Sequence, residues 1–281
     1  MTSIEKALEL AKQMGKARQR EPAAEAVRSY APRVTSAAPA RPRENYAPLP
    51  VVAFDARACV ANHVLFGDVQ LAAAGRAAAS YRLLRSRLLN QLKDVASPCI
   101  GLTGTGPGEG KTLTALNLAL HLARDKLHSV YLLDLDMRNP SIFRYVAYRP
   151  PRDLSEYLAG RAKPEEVLFG TPVENLVIAG TGDATPGASE LLSSPRLDEL
   201  LSYIRGRSPD ACILFDLPPV LSTDEALVVA PRTDCILLVV CEGVTRRDAL
   251  AQAVDMLGDF RIGGIVMNRS TEEIGSDYYG Y

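Results

Sequence analysis

An α/β fold, with a mostly parallel sheet flanked by helices on both faces, is predicted by three features of this 281-residue chain. Apolar runs at 99–103, 129–135, 175–179, 211–217, 234–241 and 262–267 alternate with helical patterns at 110–125, 195–205, 223–229 and 245–258. Runs such as Ala211-Cys212-Ile213-Leu214-Phe215 are apolar without interruption, which implies burial on both faces. A glycine-rich segment lies between the first run and the helix that follows it. Strand–helix alternation then calls for a parallel sheet with right-handed crossovers.

Ahead of that alternation the chain is less regular. Residues 3–20 read as a short charged helix, capped by Ser3, with Ile4, Ala7, Leu8, Ala11 and Met14 at helical spacing. It is either a solvated helix of marginal stability or a docking element, and its narrow apolar face without aromatics suits docking on a partner better than lipid contact. Residues 21–50 carry prolines at 22, 32, 39, 42, 48 and 50, a linker composition, and 51–75 reads as a short strand followed by a loop. From 76 to 92 a helix is expected, with Tyr81, Leu84, Leu88 and Leu89 near one face and Arg82, Arg85 and Arg87 interleaved. The expected division is therefore an N-terminal helix (1–20), a linker and irregular segment (21–75), an α/β domain (76–270) and a tail (271–281).

Composition narrows the function. A net charge of −1 gives no global attraction to nucleic acid or to an anionic membrane. The five cysteines contain no C-x-x-C pair and the three histidines are scattered, which argues for reduced core thiols and against zinc. No apolar stretch approaches the roughly 20 residues a membrane helix needs, and residues 1–6 lack a signal-peptide core. A cytoplasmic protein, brought to a membrane only by a partner, is expected.

Three segments carry chemistry. Thr105-Gly106-Pro107-Gly108-Glu109-Gly110-Lys111-Thr112, running on into Leu113, has the strand–loop–helix context of a phosphate-binding loop. Its glycines let successive N–H groups face one concavity at a helix N-terminus. Lys111 would reach the β- and γ-phosphates and the Thr112 hydroxyl would sit on Mg²⁺. Thr105 stands where the strict pattern has glycine. Asp134-Leu135-Asp136-Met137-Arg138 ends the second run with two carboxylates on one side of a strand. Asp216, in Phe215-Asp216-Leu217-Pro218-Pro219, follows another apolar strand and suits a Mg²⁺ ligand. Their order is that of a P-loop NTPase. Ser222-Thr223-Asp224-Glu225 reads as a capping box. The tail ends Tyr278-Tyr279-Gly280-Tyr281, either a surface that packs on a neighbour or a flexible phosphoacceptor.

With these features the chain resembles the bacterial tyrosine kinases of capsule and exopolysaccharide systems, over roughly residues 76–281. Residues 107–112, 134–138 and 215–219 resemble the Walker A, A′ and B elements, and Ser189-Glu190-Leu191-Leu192 and the tyrosine-rich end also look like family segments. The resemblance implies ATP and Mg²⁺ as cofactors and transfer of the γ-phosphate to a tyrosine of a neighbouring subunit. Lys111 and the loop amides would stabilise the transferring charge, Thr112, Asp136 and Asp216 would organise Mg²⁺, and Asp134 would activate the tyrosine hydroxyl. Arg138 would help position phosphate or substrate. Asn268 matches the adenine-recognising position of related ATPases, or is an ordinary turn residue. The family's Glu-x-x-Arg-x-x-Arg ring-assembly helix is matched by Arg82 and Arg85 but has Ala79 at the acidic position.

The absence of membrane helices resembles the split type, whose membrane-spanning activator, a polysaccharide co-polymerase, is a separate chain; a homo-oligomer and a tyrosine phosphatase are further implied partners. Residues 1–20 and the linker resemble kinases of exosortase-linked loci. Two other functions compete. A nucleotide-switched positioning ATPase of the partitioning type normally carries a second lysine where this chain has Gly106, and gives the tail no role. A degenerate scaffold is supported only by Ala79 and Thr105.

Overall fold

The computed structural model describes residues 46–67, 75–126 and 128–270. The expected helix at 3–20 and the tail tyrosines Tyr278, Tyr279 and Tyr281 lie outside the described residues. Seven strands, Cys99–Gly104 (β1), Val130–Asp134 (β2), Phe169–Gly170 (β3), Leu176–Ala179 (β4), Cys212–Asp216 (β5), Cys235–Cys241 (β6) and Ile262–Asn268 (β7), form one sheet in the order β3-β4-β2-β5-β1-β6-β7. All pairings are parallel except β3 with β4. β3 was not expected from sequence. It is two residues long, and its pairing partner rather than its own pattern defines it.

Ten α-helices are described: Ala56–Ala61 (α1), Gly75–Gln91 (α2), Lys111–Ala123 (α3), Ile142–Tyr145 (α4), Leu154–Leu158 (α5), Pro164–Val167 (α6), Ala188–Ser193 (α7), Pro195–Arg207 (α8), Glu225–Val229 (α9) and Arg247–Met256 (α10). They cover both faces. Alternate β2 residues separate into two cores, because successive strand side chains point to opposite faces. Val130 and Leu132 share one core with Leu116, Ala119 and Leu120 of α3 and Leu88 of α2. Tyr131 and Leu133 belong to the other core, which also holds Leu197, Leu200 and Ile204 of α8 and Ala253 of α10. α3 is apolar nearly all round and is buried along most of its length, as such a helix must be. All five cysteines are buried and unpaired, and burial pushes the Cys99 and Cys212 thiols up to about 12. Among the described residues no helix is long and apolar enough to cross a membrane.

Residues ahead of the expected boundary at 76 also pack on the sheet. Residues 50–52 line the sheet edge, where Val52 N–H donates to Gly170 O at 2.9 Å and Gly170 N–H donates to Pro50 O at 2.9 Å. A helix follows instead of a loop: Asp55 caps α1, its Oδ1 accepting from Ala58 N–H at 2.7 Å. Val52, Phe54, Cys59 and Val64 then join the core beside α2 and α3. Six residues are too few to show a helical period in sequence, so packing is what reveals the segment.

This packing makes a prediction. Phe54→Ala should destabilise the folded chain by about 3 kcal/mol, the usual loss for a buried phenylalanine, read as a lower midpoint in chemical denaturation. A midpoint equal to that of the parent protein would return residues 50–64 to the status of a linker.

Candidate active site

The sheet order places the ends of β2, β5 and β1 side by side, so the three motif loops leave one edge together. Bonds beyond the strands keep them aligned: Leu135 N–H donates to Asp216 O at 2.8 Å, Leu217 N–H to Leu102 O at 2.9 Å and Val220 N–H to Gly104 O at 3.0 Å.

The loop after β1 curls through Gly108 at φ 76° and Gly110 at φ 90°, both in the left-handed region where glycine is strongly favoured. Gly110 is also confined by a neighbour, since a Cβ there would lie 1.9 Å from Asn268 Nδ2. Glu109 is buried and turns its carboxylate back beneath the loop. It accepts from Thr105 N–H at 2.7 Å, Gly106 N–H at 3.0 Å and the hydroxyls of Thr105 and Thr245, both at 2.5 Å. The Thr105 side chain that replaces glycine is therefore part of the loop's internal bonding. The Gly106 N–H, expected to face phosphate, is occupied here by Glu109. Pro107 and Gly108 form the exposed crest, while Thr112 and Leu113 begin α3 half-buried.

Lys111 is buried and its Nζ donates to Gly106 O at 2.7 Å. Burial lowers its pKa, and the carboxylates of Asp216, Glu109 and Asp136 oppose that by favouring the ammonium.

Asp134 and Asp216 are register partners on adjacent strands. Burial pushes the Asp134 carboxyl up to about 7, against hydrogen bonds that favour its ionised form. Its Oδ2 accepts from Ser141 N–H at 2.7 Å and Ile142 N–H at 3.0 Å, capping α4, and its Oδ1 accepts from Asp136 N–H at 3.2 Å. Asp216 is also raised well above the carboxylate range, first by burial and then by the charge of Asp134. Both Asp216 oxygens are buried without a hydrogen bond of good geometry among the described residues; the nearby Thr112 hydroxyl only partly offsets the desolvation. Asp136 is half-buried, accepts from Asn139 N–H at 3.1 Å, and is raised by burial.

This donor set fits a hard divalent cation. A buried carboxylate lacking a partner, a hydroxyl and a second, half-buried carboxylate are hard oxygen donors, and Mg²⁺ usually takes one or two carboxylates and completes its shell with phosphate and water. Among the described residues no cluster of three acidic, histidine or cysteine side chains forms a metal cage by itself, so the fit is to an ion shared with phosphate.

The expected capping box at 222–225 is corrected. Asp224 precedes α9 without a side-chain cap bond and instead accepts from the Ser189 hydroxyl at 2.8 Å. Glu225 does not reach back to the helix start. It is buried, and its Oε1 accepts from Arg138 Nε at 2.5 Å. Asn268 donates from Nδ2 to Glu109 O at 2.9 Å and accepts from Arg269 N–H at 2.9 Å, which sets it against the loop. Arg85 ion-pairs with Asp125 of its own chain at 2.7 Å, while Arg82 is exposed. Sequence patterns did not point to Thr245 or to Glu225 as parts of the site: the first belongs to no motif and the second mimics a cap.

No family model matches the chain. It is similar to the tyrosine-protein kinase CpsD of Streptococcus pneumoniae, 30% identical over 185 residues that cover 64% of this chain and 79% of that protein. It is likewise similar to the tyrosine-protein kinase YwqD of Bacillus subtilis strain 168, 29% identical over 203 residues, covering 72% of this chain and 84% of the relative. Among solved structures the VpsO kinase domain superposes with a TM-score of 0.63 at 29% identity, covering 73% of this chain and all of that one. The septum site-determining protein MinD of Pyrococcus horikoshii, complexed with Mg-ADP, shares only the fold, with 22% identity and a TM-score of 0.50.

The buried carboxyl predicts a pH effect. Asp134 ionises near 3.8 when unperturbed and near 7 in the fold. Between those values the folded state binds more protons than the unfolded one, so this group removes stability as pH rises through the window. Denaturant midpoints in metal-free buffer should therefore show the parent protein losing stability relative to Asp134→Asn from pH 4 to pH 7. Parallel curves for the two proteins would remove the buried-proton assignment.

Proposed function

This chain belongs to the bacterial tyrosine-protein kinase family, and from that premise we propose that it moves the γ-phosphate of ATP to tyrosines of its own C-terminal tail, presented by a neighbouring subunit. The observation that carries the reading is the convergence of Lys111, Thr112, Asp134, Asp136 and Asp216 at three adjacent strand ends. Phosphoryl transfer needs positioning and charge stabilisation more than covalent chemistry. Lys111, poised on the loop carbonyl of Gly106, turns to the β- and γ-phosphates and stabilises charge there. Thr112, Asp136 and Asp216 would hold Mg²⁺, which would supply electrostatic stabilisation of the phosphate oxygens. Asp134 takes the tyrosine proton at Oδ1, the oxygen with only one long bond; a carboxyl raised to about 7 suits a general base near neutral pH. Asn268, fixed against Gly110, borders the adenine. Tyr278, Tyr279 and Tyr281 are the acceptors.

The proposal extends to partners. A membrane-spanning activator of the polysaccharide co-polymerase class would recruit the kinase to the inner membrane face, a tyrosine phosphatase would reset it, and the cycle would regulate exopolysaccharide polymerisation or export. Assembly into a homo-oligomer would engage Arg82 first, since Arg85 has an internal partner.

Incubation of the purified protein with Mg-ATP, alone and with the activator's cytoplasmic segment, tests the proposal. Phosphotyrosine should map to the tail. Lys111→Ala should lower it by at least ~100-fold, because nothing else in the loop replaces that charge. Changing Tyr278, Tyr279 and Tyr281 together to Phe should keep ATP binding and eliminate most self-labelling. Substantial phosphotyrosine elsewhere in the triple variant would sink the tail assignment.

A further inference from the structure

Arg138 and Glu225 form an ion pair that the three motifs do not require. The Glu225 side chain is 1% exposed and that of Arg138 is 59% exposed. Placing a carboxylate in the interior is costly unless a cation and hydrogen bonds compensate it. Here Oε1 takes the Arg138 Nε, while Oε2 is buried with no hydrogen-bond partner among the described residues. Glu225 is therefore a poor choice for stability alone. It is held firmly, on the first turn of α9, whose preceding Asp224 is tied to Ser189 at the start of α7.

The consequence lies at the other end of the guanidinium. An arginine presents its donors as a rigid planar fork. With Nε engaged by Glu225, the two terminal nitrogens of Arg138 have no hydrogen-bond partner among the described residues. They lie two residues beyond Asp136, whose carboxylate is influenced electrostatically by both Arg138 and Glu225. A fork held at one edge and open at the other matches the geometry of a phosphoryl group.

Resting on the kinase reading above, we propose that Glu225 is a positioning residue that aims the open edge of Arg138 at the terminal phosphoryl group of the bound nucleoside triphosphate. Arg138 then distinguishes triphosphate from diphosphate, and Glu225 acts only through it. The charge on Glu225 matters less than its acceptor, which a glutamine also supplies.

The test is binding of ADP and of a non-hydrolysable ATP analogue, with Mg²⁺, to the full chain and four variants, followed by tail phosphorylation. Arg138→Ala and Glu225→Ala should each weaken the analogue by about tenfold or more, the usual worth of a charged hydrogen bond, with ADP affinity unchanged. Glu225→Gln should restore analogue binding to within about threefold of the parent, and Arg138→Ala/Glu225→Ala should be no worse than Arg138→Ala. Equal loss of ADP and analogue in Glu225→Ala, or additive losses in the double variant, would reduce the pair to a structural contact and overturn the inference. So would unchanged analogue binding in Glu225→Ala. Because binding is read without phosphotransfer, a parent protein that prefers the analogue through Arg138 yet makes no phosphotyrosine would sink the kinase reading and leave this one standing.

Discussion

Two carboxylates placed side by side at the ends of buried strands set the terms for everything around them. Asp134 and Asp216 are register partners of β2 and β5, and neither can move apart without breaking the sheet. Buried like charges at that spacing cannot both ionise at ordinary cost. Asp134 is partly relieved by the amides of α4, whereas Asp216 is relieved by the nearby Thr112 hydroxyl and the charge of Lys111. The missing compensation is positive charge. Lys111 supplies part of it from the neighbouring strand's loop, and a divalent ion with phosphate would supply the rest. A site that is electrostatically unfinished without its ligands is one that gains from binding them.

The loop facing these carboxylates is held by a third. Glu109 ties the start of the loop, at Thr105 and Gly106, to Thr245 beyond β6, and its carbonyl receives Asn268 from the end of β7. The loop is consequently braced from two strands besides its own. Thr105 is compatible with this arrangement because its hydroxyl becomes another donor to Glu109. A departure from the glycine pattern thus has a local chemical compensation, which bears against the scaffold alternative drawn from that position. The brace also has a cost in donors: two loop N–H groups are directed to Glu109, so a bound phosphate would rely on the later amides and on Lys111.

Legibility in the sequence followed distance along the chain. Buried strands such as Cys212–Asp216 announce themselves by unbroken apolar character, and the loop at 105–112 by a spacing that one turn of backbone imposes. Lys111, Thr112, Asp134, Asp136 and Asp216 were readable because each sits at a fixed offset from such a run. Contacts closed by tertiary folding were not: Glu109 meets Thr245 across 136 positions, and Arg138 meets Glu225 across 87. Short elements failed for another reason. The two residues of β3 and the four of α4 contain less than one period of any pattern. The 222–225 segment misled because a cap and a buried ion pair can use the same residue types.

The arginines of α2 show how a family pattern and a fold can part. Ala79 removes the acid that would lie one helical turn from Arg82, so α2 offers cations and no matching anion of its own. Arg85 spends its charge on Asp125, with both side chains mostly shielded and the guanidinium also donating to His121 O. To serve a neighbouring subunit, Arg85 would have to break that pair and leave an aspartate without its cation, whereas Arg82 is exposed and would not. A ring needs a head-to-tail contact between different patches. In such a ring the acid facing α2 would have to come from another element of the adjoining copy, and a contact built on Arg82 alone would have one charged anchor per interface where the resembled pattern has two.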